Sequence, residues 1–388
     1  MYSSGDPAAE LESTPIQVPR NCYCCNESYT LVHGFYGRLC PQCAEVNYQN
    51  RFRSIDLTGR NVVLTGGRVK VGYATALKLL RSHANLTVTT RFPATALSQF
   101  EAQPDYLDWK DRLTIYGLDL RSLPQVREFV DHYRSRNDSL EVLINNAAQT
   151  IKYDADYYRP LVAQEQQLLG TSQARTNVIP GSVQVLDEPH SSGSKALIAE
   201  VQESSSALEW ASNRFGQPVD HRSKTSWNST LEEVDLVELL EVNLINQISP
   251  YVLIQELTPL FKASEFEKKF IVNVTSSEGQ FSYGNKSIFH PHTNMTKASL
   301  NMLTRTSARE YVEHGVFMNA VDVGWVSTGA NEELRQRQFA EGYIPPLDPV
   351  DAASRIMVPI IDELVESTGI VGKLFKNYEV QDLSLIHI

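Results

Sequence analysis

An apolar run that ends in a glycine-containing turn and continues as an amphipathic helix restricts the fold of this chain most. The run spans Asn61–Thr65, the turn reads GGRVKVG from Gly66 to Gly72, and the helical pattern ATALKLL follows. We expect Gly66 to permit a tight turn and Gly72 to let the helix pack closely, while Lys70 stands where a middle glycine is usual. A strand, turn and helix in this order point backbone N–H groups towards a pyrophosphate.

Six further short apolar runs alternate with helical periodicity, which is the pattern of repeated βαβ units. The strands are predicted at Leu86–Thr90, Leu113–Leu118, Leu140–Asn145, Phe270–Thr275, Val316–Val321 and Gly372–Phe375. The helices are predicted at Gly72–Ser82, Leu123–Arg136, Leu231–Phe261, Thr293–Glu313 and 348–366. Residues 55–380 are therefore predicted to form an α/β domain with a Rossmann-like, doubly wound parallel sheet.

Two segments do not follow this alternation. Residues 153–226 shift in composition to Ser, Gln and Gly, so we expect an insertion outside the sheet, disordered or partly helical, that serves as a lid or lies on the surface. Residues 1–20 are polar and carry no apolar leader, so they are predicted to be a flexible tail.

The five cysteines of the chain all lie between residues 22 and 43. Four of them form two C-x-x-C pairs separated by fourteen residues: Cys22, Cys25, Cys40 and Cys43. This spacing predicts a tetrahedral Zn²⁺ site in a small module at residues 21–50, closed by four sulfur ligands and therefore structural. Cys24 is left over, and His33 is an alternative ligand. The module, like the insertion, leaves a protein partner open.

The charge balance excludes some classes of function. The chain has 35 Lys and Arg against 46 Asp and Glu, a net charge of −11, which disfavours nucleic acid as the main partner. The sequence contains no apolar run of the roughly 18 residues that a membrane span needs. We therefore expect a cytoplasmic protein that does not enter a membrane.

The end of the second predicted strand bears on the choice of dinucleotide. It reads VTTR, so Arg91 stands where an acidic residue would bind the ribose 2′-hydroxyl of NAD. Arginine there favours a 2′-phosphate, and Arg68 and Lys70 add positive charge nearby. The predicted cofactor is NADP(H).

Taken together, several short motifs in order resemble the short-chain dehydrogenase/reductase family over about 56–378, excluding the insertion. They are TGGRVKVG, LDL at 118–120, INNAA at 144–148, VNL at 242–244, VNVTSSEG at 272–279, TKAS at 296–299 and VGWVST at 323–328. The resemblance implies hydride transfer to or from a carbonyl or alcohol substrate, and leaves a homo-oligomer open.

The resemblance also implies roles for individual residues. Near the cofactor, it implies that Asp119 contacts adenine, Asn146 and Ala147 line the ribose, and Thr328 contacts the carboxamide. It further implies that Asn243 holds a proton-relay water, Ser276 orients the substrate carbonyl, and Lys297 binds the ribose hydroxyls and lowers a neighbour's pKa.

The chain departs from the family at the proton donor. The family carries Tyr-x-x-x-Lys, whereas the residue four before Lys297 is Thr293, whose hydroxyl is a far weaker acid than a phenol. His292 is the first replacement candidate because imidazole titrates near pH 6.5, with His290 and Tyr283 behind it. Two hypotheses follow: an oxidoreductase with an altered donor, or a catalytically weak dinucleotide-binding sensor or scaffold.

Overall fold

The computed structural model describes residues 11–171, 177–181, 213, 216–222, 224–282, 286–327 and 332–383. Its strands are β1 Thr14–Asn21, β2 Ser28–Val32, β3 Asn61–Thr65, β4 Asn85–Thr90, β5 Leu113–Gly117, β6 Val142–Asn145, β7 Val178–Ile179, β8 Lys269–Thr275, β9 Val316–Asp322, β10 Leu374–Lys376 and β11 Glu379–Gln381. Its helices are α1 Pro41–Phe52, α2 Lys70–Arg81, α3 Pro93–Glu101, α4 Tyr106–Trp109, α5 Leu123–Arg136, α6 Ala155–Thr171, α7 Leu236–Asn243, α8 Ser249–Ala263, α9 Pro291–Val312, α10 Glu332–Ala340 and α11 Pro349–Glu366. A π-helical turn, Leu244–Ile248, joins α7 to α8.

Nine of the described strands form one sheet in the order β11-β10-β9-β8-β6-β3-β4-β5-β7. Neighbouring strands are parallel except β10 and β11. The order runs one way from β3 to β5 and the other way from β6 to β9, so a crevice opens at the carboxyl ends of β3 and β6. The predicted α/β class and doubly wound parallel sheet are confirmed.

Helices cover both faces of this sheet because its central strands are apolar on both sides. In β3, Leu64 belongs to a buried cluster that includes Leu79 of α2 and Ile356 of α11. The preceding residue, Val63, points to the opposite face and belongs to a second cluster that includes Phe129 of α5. These two apolar layers hold the strand ends, and hence the crevice, in place.

The insertion corrects one prediction. Its helix α6 packs against α3, and β7 joins the sheet, pairing Val178 with Ile115 of β5. The expectation that residues 153–226 lie outside the sheet is therefore wrong for this part. The outer edge of β5 exposes unpaired backbone groups, and a two-residue extended segment is enough to pair with them despite its polar surroundings.

The N-terminal region corrects a second prediction. Residues 14–21 were expected to belong mainly to a flexible tail, but they form β1, which pairs antiparallel with β2. We call β1, β2 and α1 (residues 14–52) the cysteine module. Buried Arg51 of this module bonds Asp351 at 2.7 Å and Asp348 at 2.9 Å, at the start of α11. The module is therefore packed firmly against the α/β domain.

Candidate functional site

A cavity of about 910 Å³ lies over the carboxyl ends of β3, β4, β6, β8 and β9. Residues that end or follow these strands line it: Gly66, Thr90, Asn146, Thr275 and Asp322. Because parallel strands end at the same edge of a sheet, residues distant in sequence meet here.

The glycine turn forms one wall of the cavity. Gly66 has φ +71°, and a Cβ on it would lie 2.9 Å from the Cβ of Ala147. A Cβ on Gly72 would lie 2.0 Å from the carbonyl oxygen of Gly66, so neither position accepts a side chain without movement. Lys70 adopts φ +51°, in the left-handed region, which explains why glycine is usual there.

Asn146 holds this turn from behind. Its amide nitrogen donates to the carbonyl oxygens of Thr65 at 3.0 Å and Gly66 at 3.2 Å. The hydroxyl of Thr65 accepts the backbone N–H groups of Asn146 and Ala147 at 3.1 and 3.0 Å. Both predicted ribose-lining residues thus border the cavity, and the side chain of Asn146 also fastens β3 to the end of β6.

Two guanidinium groups stand at one end of the cavity. Arg68 is only 7% exposed, and its Nη1 has no hydrogen-bond partner among the described residues. Arg91 donates to the Tyr158 hydroxyl at 3.0 Å and lies 4.6 Å above its ring. Burial, with the positive charge of Arg91, lowers the pKa of Arg68 to about 10. A buried guanidinium whose Nη1 is unsatisfied within the described part of the chain, beside a second cation, makes this end suited to an anion.

Asp119 lines the cavity beside this basic end, but its carboxylate is already paired. It accepts the Nη2 of Arg121 at 2.6 Å and its Nε at 3.0 Å. Burial opposes its ionisation, yet the bonds from Arg121 hold the pKa of Asp119 below its usual value. Its contact with adenine stays a prediction.

Lys297 and Thr293 face the cavity from the first turns of α9. The Lys297 ammonium donates to the carbonyl oxygen of Val274 at 2.9 Å. Burial lowers the pKa of Lys297 to about 8, although nearby Asp322 opposes this. The Thr293 hydroxyl is buried and has no partner within the described part of the chain.

Ser276 follows β8 and lines the same part of the cavity. Its neighbour Ser277 also borders the cavity, but its hydroxyl donates to Asp322 at 2.6 Å. The sequence does not show which of the two adjacent serines is available to a substrate. In the structure the Ser277 hydroxyl is bonded to Asp322, which leaves Ser276 as the candidate.

The structure gives His290 and His292 different surroundings, and only His290 borders the cavity. His292 points away from the cavity, with its Nε2 3.1 Å from a carboxylate oxygen of Glu238 on α7. His290 does line the cavity, stacked on Trp227 at 4.5 Å, with its Nδ1 2.8 Å from the Trp227 carbonyl oxygen. The His290 Nε2 has no hydrogen-bond partner among the described residues. His290 is the N-cap of α9 with φ +44° and borders the cavity, whereas His292, in the first turn, faces Glu238.

Asn243 is also displaced from its predicted place. Its amide nitrogen donates to Leu239 within α7 at 2.7 Å, and it does not border the cavity. Three residues later, Asn246 is 1% exposed and donates to the carbonyl oxygen of Gln149 at 3.0 Å and the Thr296 hydroxyl at 3.1 Å. Its Oδ1 accepts the N–H of Gln149 at 2.8 Å. Asn246 thus links the segment after β6 to α9.

Both asparagines belong to the segment NLIN, so the sequence offers two candidates for the role assigned to Asn243. Residues three apart share one side of a regular α-helix, so periodicity alone does not separate them. The π-helical turn Leu244–Ile248 changes the helix phase at this point. Thr328 and Tyr283, also expected near the site, lie outside the described residues.

Sequence reasoning missed an aromatic wall that the insertion adds to the cavity. Tyr153 and Tyr157 stack with ring centroids 3.7 Å apart, and Arg222 lies 5.1 Å above Tyr153. Tyr158 completes the wall and packs on Phe92. The signal is the clustering of three tyrosines within six residues, with Tyr153 just before α6 and Tyr157 and Tyr158 in its first turn.

The four predicted metal ligands come together in the cysteine module. The sulfur atoms of Cys22, Cys25, Cys40 and Cys43 all lie within 4.8 Å of one another. The Cys25 and Cys40 sulfurs are 3.7 Å apart, which fits the edge of about 3.8 Å expected for a tetrahedron with Zn–S bonds of about 2.3 Å. Burial opposes ionisation of Cys22, but backbone N–H groups lower the pKa of this thiol to about 7.

The two spare ligand candidates are used elsewhere. Cys24 contacts Arg355, with the sulfur 3.8 Å from a guanidinium nitrogen. The Nδ1 of His33 accepts the backbone N–H groups of Phe35 at 3.1 Å and Tyr36 at 3.4 Å. Neither residue belongs to the sulfur cluster.

Two family models match consecutive parts of the chain. A model described as short chain dehydrogenase matches residues 60–165, and one described as enoyl-(acyl carrier protein) reductase matches residues 161–346. An uncharacterized protein, R665 of Acanthamoeba polyphaga mimivirus, is 32% identical over 357 residues, which are 88% of this chain and 71% of that protein. Protochlorophyllide reductase of Pisum sativum is 35% identical over 111 residues, 28% of this chain and 27% of that enzyme.

Solved structures share the fold. The RhlG/NADP complex of Pseudomonas aeruginosa superposes with a TM-score of 0.53 at 16% identity, covering 82% of this chain and 94% of that one. NADPH-bound carbonyl reductase from chicken fatty liver gives 0.51 at 19% identity, covering 84% and 100%. Within the described residues, each helix is too short or too polar to cross a bilayer. From its family matches and its sheet, this chain belongs to the short-chain dehydrogenase/reductase family.

Proposed function

We propose that the protein is an NADP(H)-dependent oxidoreductase that acts on a carbonyl or alcohol substrate, with His290 as the proton donor. The observation that carries the proposal is the meeting of Ser276, Lys297 and His290 around one cavity whose other end holds Arg68 and Arg91. The RhlG/NADP complex and the NADPH-bound carbonyl reductase, which share the fold, support it.

The chain offers groups suited to each part of a dinucleotide. The turn from Gly66 to Gly72 presents backbone N–H groups for a pyrophosphate, and Lys70 lies within it. Arg68 and Arg91 are assigned to a 2′-phosphate. Glu165 already accepts the N–H groups of Ala94 and Thr95 at the start of α3, so this helix end has fewer donors to offer a phosphate. We therefore assign the 2′-phosphate to the two arginines.

Further contacts with the dinucleotide are assigned from the family motifs in the sequence. Asp119 is proposed to meet the adenine, Asn146 and Ala147 the ribose, and Thr328 the carboxamide. Bound nicotinamide would accept or supply the hydride. The Lys297 ammonium is proposed to bind ribose hydroxyls.

At the substrate end, the chain has to orient an oxygen atom and move a proton. Ser276 is assigned to hold the carbonyl oxygen through its hydroxyl. Protonated His290 can donate from Nε2, because its Nδ1 is occupied by the Trp227 carbonyl. We assign Asn246, rather than Asn243, to fix the backbone of Gln149 beside the site.

The cysteine module is proposed to bind one structural Zn²⁺ through Cys22, Cys25, Cys40 and Cys43. The mutual sulfur distances and the four-sulfur donor set support this assignment. With all four ligand positions filled by protein, the metal would stabilise the module and take no part in the chemistry.

One observation favours a second function. The Thr293 hydroxyl occupies the family's tyrosine position without a partner among the described residues, and it is a poor acid. A protein that binds the dinucleotide without turnover, as a sensor or scaffold, would retain Lys297 and the glycine turn but need no donor. Turnover of any carbonyl substrate distinguishes the two functions.

The experiment is a fluorescence titration of NADPH and NADH, followed by assays with a panel of carbonyl substrates. Replacing Arg91 with Asp should weaken NADPH binding by roughly tenfold to a hundredfold, because a charge-assisted phosphate contact is lost and a repelling charge added. Binding of NADH should change far less. Arg127→Asp, at an exposed position on α5, is the charge-matched control. Equal affinity of the unmodified protein for both cofactors would contradict the assignment.

A further inference from the structure

The cysteine module touches the loop that follows β9, and that loop lines the cavity. We define the loop as Asp322–Val326, the last residue of β9 and the four residues after it, and all five border the cavity. Tyr23 lies between the first two cysteines of the module, and it also borders the cavity. A module that is remote from the site in sequence thus reaches the candidate active site.

The principal contact is a hydrogen bond to the backbone of the loop. The N–H of Trp325 donates to the Tyr23 hydroxyl at 2.8 Å. The backbone N–H of Tyr23 in turn donates to the carbonyl oxygen of Arg38 at 3.0 Å, close to the second pair of cysteines. The two knuckles of the module therefore position Tyr23 together.

A second contact holds the indole ring of the loop. The Arg38 guanidinium lies 5.1 Å from the Trp325 ring centre and 5.4 Å from that of Tyr343. The same arginine donates to the carbonyl oxygen of Ile344 at 3.1 Å. Trp325 and Tyr343 also contact each other at 4.8 Å, so Arg38 joins two cavity-lining aromatic residues to the module.

A buried arginine of α11 lies against both the module and the loop. Arg355 of α11 donates to the side-chain oxygen of Asn47 in the module at 3.0 Å. A Cβ on Gly324 would lie 2.4 Å from its Nη1 and 3.3 Å from the Tyr23 hydroxyl. Gly324 has φ +77°, so the loop passes here in a conformation that only a glycine adopts readily. The loop is therefore packed between the module and α11.

We propose that the cysteine module is a positioning element of the cofactor site, with Tyr23 as the positioning residue for the loop Asp322–Val326. This inference rests on the proposed function, because it assigns the loop to the nicotinamide end of a dinucleotide. Loss of the Tyr23 hydroxyl leaves the Trp325 N–H without its acceptor, and the loop then samples conformations that bind the cofactor less well.

The test compares Tyr23→Phe with Tyr29→Phe in the full chain. Tyr29 is the matched control, because its hydroxyl also bonds to the backbone of the module, at Gly37 O (3.1 Å), but it does not border the cavity. Hydrogen–deuterium exchange of the peptide covering residues 322–327, without cofactor, should be faster in Tyr23→Phe and unchanged in Tyr29→Phe. The NADPH Kd should rise roughly threefold to tenfold in Tyr23→Phe and stay within about twofold in the control.

Metal content and the thermal midpoint are measured in both variants to separate positioning from loss of folding. If Tyr23→Phe does not fold, Arg38→Gln takes its place, because it removes the cation from the Trp325 ring; the same two changes are expected. Unchanged exchange, or faster exchange with unchanged NADPH affinity, overturns the inference. If the unmodified protein does not bind NADPH, the proposed function fails, while the exchange comparison still decides whether Tyr23 holds the loop.

Discussion

At the scale of single residues, the proton donor is the feature that most separates this chain from its family. His290 borders the cavity with an Nε2 atom that has no hydrogen-bond partner among the described residues and lies 3.9 Å from a carboxylate oxygen of Glu278, whereas His292 is paired with Glu238. We predict that His290→Ala lowers the rate of carbonyl reduction by roughly 10²- to 10⁴-fold, because general acid catalysis is lost, and leaves NADPH affinity nearly unchanged. Steady-state rates and NADPH titrations of the same preparations measure both quantities.

His292→Ala is the matched control for this prediction, and it should retain the rate. Full activity of His290→Ala would assign the proton to another group. Turnover that appears only in Thr293→Tyr would instead support the sensor or scaffold function, since one acid would then be all that the site lacks.

Lys297 gives a prediction about pH and stability. In the folded protein, burial lowers the pKa of Lys297 to about 8, from the ordinary value of 10.5 that it regains on unfolding. Between these two values the unfolded chain binds more protons, so the contribution of Lys297 to the free energy of unfolding rises with pH. The cost of burying the charge is fully present below about pH 8.

We therefore expect the free energy of unfolding of the unmodified protein, minus that of Lys297→Met, to rise between about pH 8 and 10.5. Urea denaturation at several pH values measures this difference. Lys262→Met, at an exposed position near the end of α8, is the control. A difference that stays flat across the window would show that Lys297 keeps its proton in the folded protein.

At the scale of elements, the insertion supports the part of the sheet beside Arg68 and Arg91. Glu165 of α6 accepts the N–H groups of Ala94 at 2.6 Å and Thr95 at 2.8 Å. These donors lie in the first turn of α3, where a helix offers them no acceptor of its own. We predict that Glu165→Gln destabilises the α3–α6 contact by about 1–2 kcal/mol, because a charged cap is replaced by a neutral one.

Faster hydrogen–deuterium exchange in α3 and faster proteolysis within α6 would be the measured result. Glu128→Gln, exposed on α5, is the control. Equal exchange in the two variants would mean that α6 packs on α3 through Tyr158 and Leu161 alone.

At the scale of the whole molecule, the sulfur cluster brings together two parts of the cysteine module, the turn at Cys22 and Cys25 and the start of α1 at Cys40 and Cys43. We predict about one Zn per chain in protein purified without chelator, and nearly none in Cys40→Ser, because three sulfurs leave the tetrahedron incomplete. Cys24→Ser should keep the metal, since this sulfur lies outside the cluster. Metal analysis of the three proteins tests the prediction, and zinc retained by Cys40→Ser but lost from Cys24→Ser would reverse the ligand assignment.

Local patterns were sufficient for much of the architecture. The helix Leu123–Arg136 and the strand Asn61–Thr65 were predicted with the bounds that the structure has, because strand and helix periodicities are properties of neighbouring residues. The four clustered cysteines were also readable from spacing alone, since a C-x-x-C turn brings its own two sulfurs together.

The sequence by itself determined the alternation of the central strands and helices, the glycine turn, the basic residues beside it and the family. Tertiary structure decided which of two similar residues contributes to the site: Asn246, which bonds the cavity-lining Gln149, rather than Asn243, and His290, which lines the cavity, rather than His292. The π-helical turn Leu244–Ile248 separates the two asparagines, and the direction in which α9 starts separates the two histidines. Both features depend on packing against other elements. Tertiary structure also brought Tyr23 to Trp325. These residues are 302 positions apart, and no local pattern encodes their contact.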